Sequence, residues 1–298
     1  MEELIEVKKQ IKDFVIEIAD EKSLELLGHL AQGKMLRSKL ILKIAGVNDE
    51  SIKLCAVVEM IHAASLLHDD VIDDANTRRG QASVNALYDN KTAIMFGDIL
   101  YSKAFTELSQ MDKRIAYKIA NAVTLLSVGE LLDVELTKTF NKSYDKYLDM
   151  IYKKTASLIE ACAASAAILA GLDEEKYALY GKNLGLAFQM IDDILDITQN
   201  SATLGKPAML DFVEGKVTIP YLLLHERIEN KSKLELLYKK QLSQDEEAWI
   251  KIQMSETQTL SDSIAQARQL GLEAINSVKD ENNESLVQIM KVMIEREF

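Results

Sequence analysis

Residues 61–74 read IHAASLLHDDVIDD, an apolar run ending in four aspartates, and residues 184–196 repeat the design as LGLAFQMIDDILD. Each closes in the pattern Asp-Asp-x-x-Asp, with Asp69, Asp70 and Asp73 in the first and Asp192, Asp193 and Asp196 in the second. On a helix, residues four apart share a face, so Asp69 with Asp73, and Asp192 with Asp196, aim two carboxylates the same way. Like charges so placed weaken a helix. A chain that does this twice, each time beside core-type residues, is arranged to hold something cationic between two facing helices. Oxygen donors without paired histidine favour Mg²⁺, which keeps several waters and binds through a few carboxylates together with substrate phosphates. A solvated acidic helix end would explain one such cluster, but not two accompanied by basic residues.

Those basic residues are spread along the chain. Arg78-Arg79-Gly80 follows the first cluster directly, and Gly33-Lys34-Met35-Leu36-Arg37, Lys153-Lys154-Thr155, Gly205-Lys206 and Glu214-Gly215-Lys216 stand elsewhere. Metal-binding carboxylates with scattered Arg and Lys describe a site for a polyanion such as diphosphate.

Composition agrees with a helical enzyme. The 298 residues include only 2 Pro and 12 Gly and are 48% hydrophobic, so helix breakers are scarce and a large core is available. Apolar residues recur at three- and four-residue spacing over 2–19, 35–45, 51–74, 93–109, 112–138, 144–171, 174–199 and 217–228, which predicts a nearly all-α fold. Breaks are expected at Gly46–Asp49, Asn76–Gln81, Gly171–Asp173 and Asn200–Lys216. No Pro/Gly/Ser-rich linker divides the chain, so residues 1–298 are read as one domain. Beyond about residue 229 the helices are charged and amphipathic and carry no motif.

A net charge of -12 argues against nucleic acid and implies that an anionic substrate is met by local Lys, Arg and metal. Cys55 and Cys162 stand alone in apolar, alanine-rich helical contexts and read as buried reduced thiols, consistent with a cytoplasmic location. The N-terminal MEELIEVKKQ lacks the pattern of a secretory signal, and the apolar stretch Ala161–Leu172 is short for a membrane span. No transmembrane segment is expected; contact with a membrane surface is not readable from the sequence.

The segment EMIHAASLLHDDVIDDANTRRGQASVN (Glu59–Asn85), with GKMLR at 33–37, KT at 154–155, FQMIDD at 188–193 and GK at 205–206, resembles the trans-type polyprenyl diphosphate synthases of the long-chain, octaprenyl kind. The likeness runs from about residue 30 to 220. It implies an all-α, single-domain isoprenoid synthase bundle whose two DDxxD helices face a central cavity. It also implies a homodimer, and head-to-tail condensation of isopentenyl diphosphate onto an allylic diphosphate. By resemblance, Asp69, Asp73 and Asp192 bind Mg²⁺ directly, with Asp70, Asp193 and Asp196 in or beside the ligand shell. Arg78, Lys154, Lys206 and Lys216 hold the allylic diphosphate; Lys34, Arg37, His62 and Arg79 hold the isopentenyl diphosphate. Thr155 and Gln189, with Lys154, sit near the developing cation. Two positions depart from the family's common pattern: Gln32 stands where a second glycine is usual before the lysine, and Ser38 where a proline is usual after the arginine.

Ala64 and Ser65 stand one helical turn, roughly 5 Å, before Asp69. In the family, bulky aromatic residues here resemble a floor that stops growth at short products. The small side chains in this chain predict a tunnel open past that turn toward Ile61, Met60, Val58 and Val57, and a product of C30 to C50 with C40 favoured, of the kind used as a quinone side chain. Phe96, Phe105 and Leu125-Leu126 are candidates for a deeper floor. A di-iron bundle needs two Glu-x-x-His pairs, and only Glu59-Met60-Ile61-His62 is present. A terpene cyclase or head-to-head synthase has similar metal sites without a second isopentenyl site, which GKMLR and Arg78-Arg79 favour. A shorter-chain synthase and a non-catalytic partner subunit are the remaining alternatives; the latter would be expected to have lost one acid cluster.

Overall fold

The computed structural model describes residues 2–31, 33–199, 209–281 and 284–294. The chain divides into two compact units: Met1–Val123 with Ala161–Ala178, and Thr124–Glu160 with Leu179–Phe298.

The first unit is organised on α4 (Asp49–Ile72), against which α1 (Glu2–Ile16), α3 (Leu36–Ala45) and α6 (Asn90–Leu108) pack. It also holds α2 (Glu21–Gly28) and the short α5 (Val84–Leu87). A reciprocal cap starts α4: the Ser51 backbone N–H donates to Asn48 Oδ1 at 2.9 Å and the Asn48 N–H donates to Ser51 Oγ at 3.0 Å. The helix is apolar on most of its circumference because it is a core helix, with Leu54, Val57, Val58, Ile61 and Ala64 fully buried. The first acid cluster therefore ends the most firmly held element of its unit. Helix α2 falls in a stretch for which apolar spacing gives no signal. Its start is fixed by Asp20, which accepts from the Ser23 N–H at 2.7 Å and from Ser23 Oγ at 2.6 Å.

After α4 the chain turns at Asp74 (φ 51) and forms a two-stranded antiparallel ribbon, β1 (Thr77–Arg78) and β2 (Gln81–Ala82). The break expected at 76–81 is thus a tight hairpin. Arg79 (φ 53) and Gly80 (φ 75) occupy its two central positions, both with the positive φ that a two-residue hairpin turn favours.

The second unit holds α8 (Tyr144–Ile151), α11 (Leu210–Glu214), α12 (Ile219–Arg227), α13 (Lys231–Leu237), α14 (Gln244–Glu256), α15 (Thr259–Ser277) and α16 (Glu284–Ile294). The unit boundaries fall inside α7 (Lys113–Leu136) and α10 (Glu174–Thr198), and at the start of α9 (Ser157–Ala170). Its core gathers Tyr147, Ile151, Met190, Ile191, Phe212, Ile219, Tyr221, Leu224, Leu234, Ile250 and Met254. The Phe212 and Tyr221 rings stack there at 4.3 Å.

The helical periodicity over 144–171 conceals one irregularity. Residues Tyr152–Ala156 form a π turn between α8 and α9, which inserts a residue into the helical register and shifts Lys154 and Thr155 round the helix. Gly129 is the residue that makes room for it. A Cβ there would lie 2.3 Å from the Lys154 backbone nitrogen.

Cys55 and Cys162 are buried free thiols, as expected. Among the described residues two helices, α4 and α7, are long and apolar enough by composition to cross a membrane, a property the reading of Ala161–Leu172 overlooked. The apolar window of α4 is 67% buried, which marks a core helix; that of α7 is only 33% buried.

Candidate active site

In the first unit, Asp69 lies half-buried in the last turn of α4 and Asp73 is exposed at its C-cap, one turn on. Asp70 lies on a different face and is 4% exposed. Its Oδ1 accepts from both Nε and Nη2 of Arg78, each at 2.7 Å. Of the three carboxylates named in the sequence, Asp70 thus holds Arg78, a residue expected to contact the allylic diphosphate, while Asp69 and Asp73 lie one turn apart at the helix end.

A cluster of cationic residues gathers in the same unit. Arg37, Arg78, Arg79 and His62 are close enough to act on one another: burial first, then Arg37, Arg79 and Arg78, hold the His62 imidazole well below the usual histidine range. His62 is consequently neutral and able to donate one N–H. The Arg37 Nε is buried and has no hydrogen-bond partner among the described residues. Arg79 Nη1 donates to the Ala31 carbonyl at 3.0 Å, and the chain at Gly33 lies directly over this guanidinium, where a Cβ would be 2.6 Å from Nη1. A side chain at residue 33 would make the Arg79 guanidinium shift. Lys34, the remaining residue expected to contact the isopentenyl diphosphate, is exposed on the same loop. Three guanidiniums near a neutral imidazole, one with an unsatisfied donor among the described residues, concentrate positive charge here.

In the second unit the π turn delivers Lys154 and Thr155 into separate polar contacts. Lys154 Nζ lies 2.5 Å from Asp133 Oδ2 and 2.9 Å from Glu130 Oε2. Burial opposes the lysine's charge, but Asp133 and Glu130 outweigh it and raise its pKa above the usual lysine range, so Lys154 is firmly protonated. Thr155 Oγ1 donates to Gln189 Oε1 at 2.8 Å, Gln189 Nε2 donates to Asp193 Oδ1 at 2.9 Å, and the Tyr147 hydroxyl donates to Asp193 Oδ2 at 2.6 Å. Asp193 is thereby turned into the protein. Burial, then the neighbouring charge of Asp211, pushes its carboxyl up to about 8, against the hydrogen bonds from Tyr147 and Gln189. Asp196 is likewise buried and accepts from the Asp211 N–H at 3.2 Å. Asp192 is half-buried. Lys216 Nζ pairs with Glu214 at 3.0 Å, and Lys206 lies outside the described residues.

Sequence reasoning singled out Lys154, Thr155 and Gln189 but missed Glu130, Asp133, Asp211 and Tyr147. Two acids three residues apart within the apolar run Ser127–Leu136 were the available signal. Ala64 and Ser65 are buried, and Ser65 Oγ donates to the His62 carbonyl at 2.9 Å. Among the deeper candidates, Phe96 and Leu126 are buried and Leu125 half-buried. Phe105 is 36% exposed and stacks on Tyr101 at the surface of α6, which removes it as a floor residue.

Among the described residues, no three His, Cys, Asp or Glu side chains converge on one point as in an all-protein metal cage. The fit to Mg²⁺ rests on donor chemistry: carboxylate oxygens on helix ends, few per cluster, suit an ion that retains waters and takes phosphate oxygens as ligands.

The polyprenyl synthetase family model matches residues 21–254. The chain is 41% identical to the octaprenyl pyrophosphate synthase of Helicobacter pylori, whose crystal structure superposes with a TM-score of 0.93 over 99% of each chain. It is 44% identical to solanesyl-diphosphate synthase 1 of Oryza sativa over 177 residues, which cover 58% of this chain and 41% of that relative's length. It is 34% identical to a short chain isoprenyl diphosphate synthase of Methanothermobacter thermautotrophicus over 77% of this chain and 75% of the relative. The chain belongs to the polyprenyl synthetase family, metal-dependent prenyltransferases that include the long-chain polyprenyl diphosphate synthases.

Proposed function

We propose that the chain condenses isopentenyl diphosphate head-to-tail onto an allylic diphosphate, such as farnesyl diphosphate, to make a long-chain all-trans polyprenyl diphosphate with C40 favoured. The observation that carries this reading is that the chain gathers cationic and polar residues at two different places, each of a chemistry suited to a diphosphate. One, in the first unit, is the cluster of Arg37, His62 and Arg79; the other, in the second unit, is the clamped Lys154 with the Thr155–Gln189 pair and the second acid cluster. Two diphosphate substrates are what a condensing enzyme needs and a cyclase does not.

Chain growth begins when the allylic carbon–oxygen bond breaks, leaving a carbocation and diphosphate. Asp69 and Asp73 in the first unit, and separately Asp192 in the second, would hold Mg²⁺, whose chemistry there would be to compensate the charge of a diphosphate leaving group. Lys154, kept protonated by Glu130 and Asp133, adds a fixed positive charge. The Thr155 hydroxyl spends its proton on Gln189, so its oxygen lone pairs are available to the cation. Arg37, Arg79 and neutral His62 hold the isopentenyl diphosphate while its double bond attacks the cation. The new cation then loses a proton to the released diphosphate, which restores a double bond. Asp69→Asn and Asp192→Asn are each expected to cut incorporation more than about a hundredfold with thermal stability unchanged. Retained activity in both variants would overturn the reading.

The reading extends to a homodimer. Helix α7 exposes Tyr117 (72%), Leu131 (69%), Val128 and Val134, an apolar stripe that a second copy would cover. It extends also to residues 1–298 acting as one catalytic domain, and to a cytoplasmic enzyme. The archaeal relative keeps a shorter product as the alternative, and product length decides between them. Both acid clusters are complete, which speaks against a non-catalytic partner subunit.

A further inference from the structure

We propose that Ser38 and Glu59 are a positioning pair for the isopentenyl side of the reaction: Glu59, on α4, caps the first turn of α3 and so sets where Arg37 and His62 meet the diphosphate. This rests on the function proposed above.

Helix α3 starts abruptly. Met35, its N-cap residue, has φ 48 and ψ 47 and supplies no side-chain hydrogen bond, so the first-turn N–H groups need partners from elsewhere. Glu59 supplies one. Its Oε1 accepts from the Ser38 hydroxyl at 2.6 Å and from the Ser38 N–H at 3.3 Å. From the preceding turn of α4, the Cys55 thiol reaches the Ser38 carbonyl at 3.6 Å. Ser38 and Cys55 are both fully buried. The third residue of α3 is thus tied to α4 through its hydroxyl, its N–H and its carbonyl. A carboxylate at a helix N-terminus is also favoured by the helix dipole.

Glu59 has a second role in the same place. It lies three residues before His62 on one face of α4, and its charge acts on Arg37 and Arg79. Arg37 directly precedes Ser38, and its buried Nε has no partner among the described residues. Fixing Ser38 therefore fixes the backbone from which Arg37 projects, and Glu59 offsets the mutual repulsion of the guanidiniums. Neither residue takes part in bond making.

The test is steady-state kinetics with each substrate varied, plus calorimetric titration of isopentenyl diphosphate, on Ser38→Ala, Ser38→Thr, Ser38→Pro and Glu59→Gln. Loss of hydrogen bonds to a charged group predicts a rise of about tenfold in the KM and Kd for isopentenyl diphosphate in Ser38→Ala and Glu59→Gln. The allylic KM and kcat should stay within about twofold. Ser38→Thr, which keeps the hydroxyl, should restore the wild-type constants. Ser38→Pro, tolerated in a first helical turn but lacking both donors, should behave like Ser38→Ala. Unchanged isopentenyl constants in Ser38→Ala, or a parallel rise in both substrates' KM with a lowered Tm, would overturn the pair's role. Wild-type protein that incorporates no isopentenyl diphosphate would instead overturn the function on which it rests.

Discussion

Adding a single methyl group at Gly129 should disable Lys154 through its backbone, leaving its side chain unaltered. The Cβ of Gly129→Ala would lie 2.3 Å from the Lys154 nitrogen and 2.7 Å from both the Lys153 carbonyl carbon and the Lys154 Cα. All three are backbone atoms, so no rotamer change relieves the overlap. Ordinary contact between such atoms requires about 3.5 Å, so the π turn must retreat by roughly 1 Å. Overpacking of this kind costs about 1–3 kcal/mol of stability, which a protein of this size survives. The catalytic cost comes on top of this, because a misplacement of about 1 Å in a positioning group lowers rate on the order of a hundredfold. Measured at saturating levels of both substrates, kcat should fall by about that factor, while isopentenyl diphosphate binding through Arg37, His62 and Arg79 is unchanged. Gly28→Ala, whose Cβ meets nothing within 4 Å, is the control and should behave as wild type. A Gly129→Ala enzyme with kcat within about twofold of wild type would show that the placement of Lys154 by the π turn does not matter to the reaction.

Three further outcomes are expected. Ala64→Phe with Ser65→Phe, placed at positions 0% and 5% exposed, should shorten the product by several isoprene units in chromatography of the dephosphorylated alcohols; an unchanged distribution would remove these residues from control of chain length. His62, whose pKa is lowered by folding, takes up a proton in the unfolded chain before the folded one. Stability should therefore fall as pH drops below about 6.5, by up to about 1.4 kcal/mol per pH unit. In urea titrations His62→Gln should flatten that slope, and equal slopes would contradict the neutral assignment. Leu131→Glu should convert a dimer to a folded monomer in analytical ultracentrifugation; an undisturbed dimer would place the interface elsewhere than on α7.

The parts of the fold that were legible in the sequence are those in which a local period reports burial. Helices α4, α6, α7 and α10 follow from three- and four-residue apolar spacing, and the acid clusters from the coincidence of Asp-x-x-x-Asp with that spacing. What was not legible depends on contacts distant in sequence. The π turn at Tyr152–Ala156 looks like uninterrupted helix because its cause, close approach to Gly129, lies on another element. The engagement of Asp70 by Arg78, and of Asp193 by Tyr147 and Gln189, separates aspartates that a motif treats as equivalent. Glu130 and Asp133 carry no motif; they become readable only when Lys154 is placed between them. The departure at Ser38 raised a question about loop geometry, and the structure answers it with a bond to Glu59 that proline could not make.

The most direct test of the central claim is incubation of the purified protein with radiolabelled isopentenyl diphosphate and a farnesyl diphosphate primer, in Mg²⁺ or in EDTA, followed by separation of the dephosphorylated products by chain length. The account predicts a Mg²⁺-dependent ladder ending near C40 and no incorporation in EDTA. A ladder that stops at C20 or below would contradict the long-chain assignment, and folded protein that incorporates no label with any allylic primer would contradict the proposed activity itself.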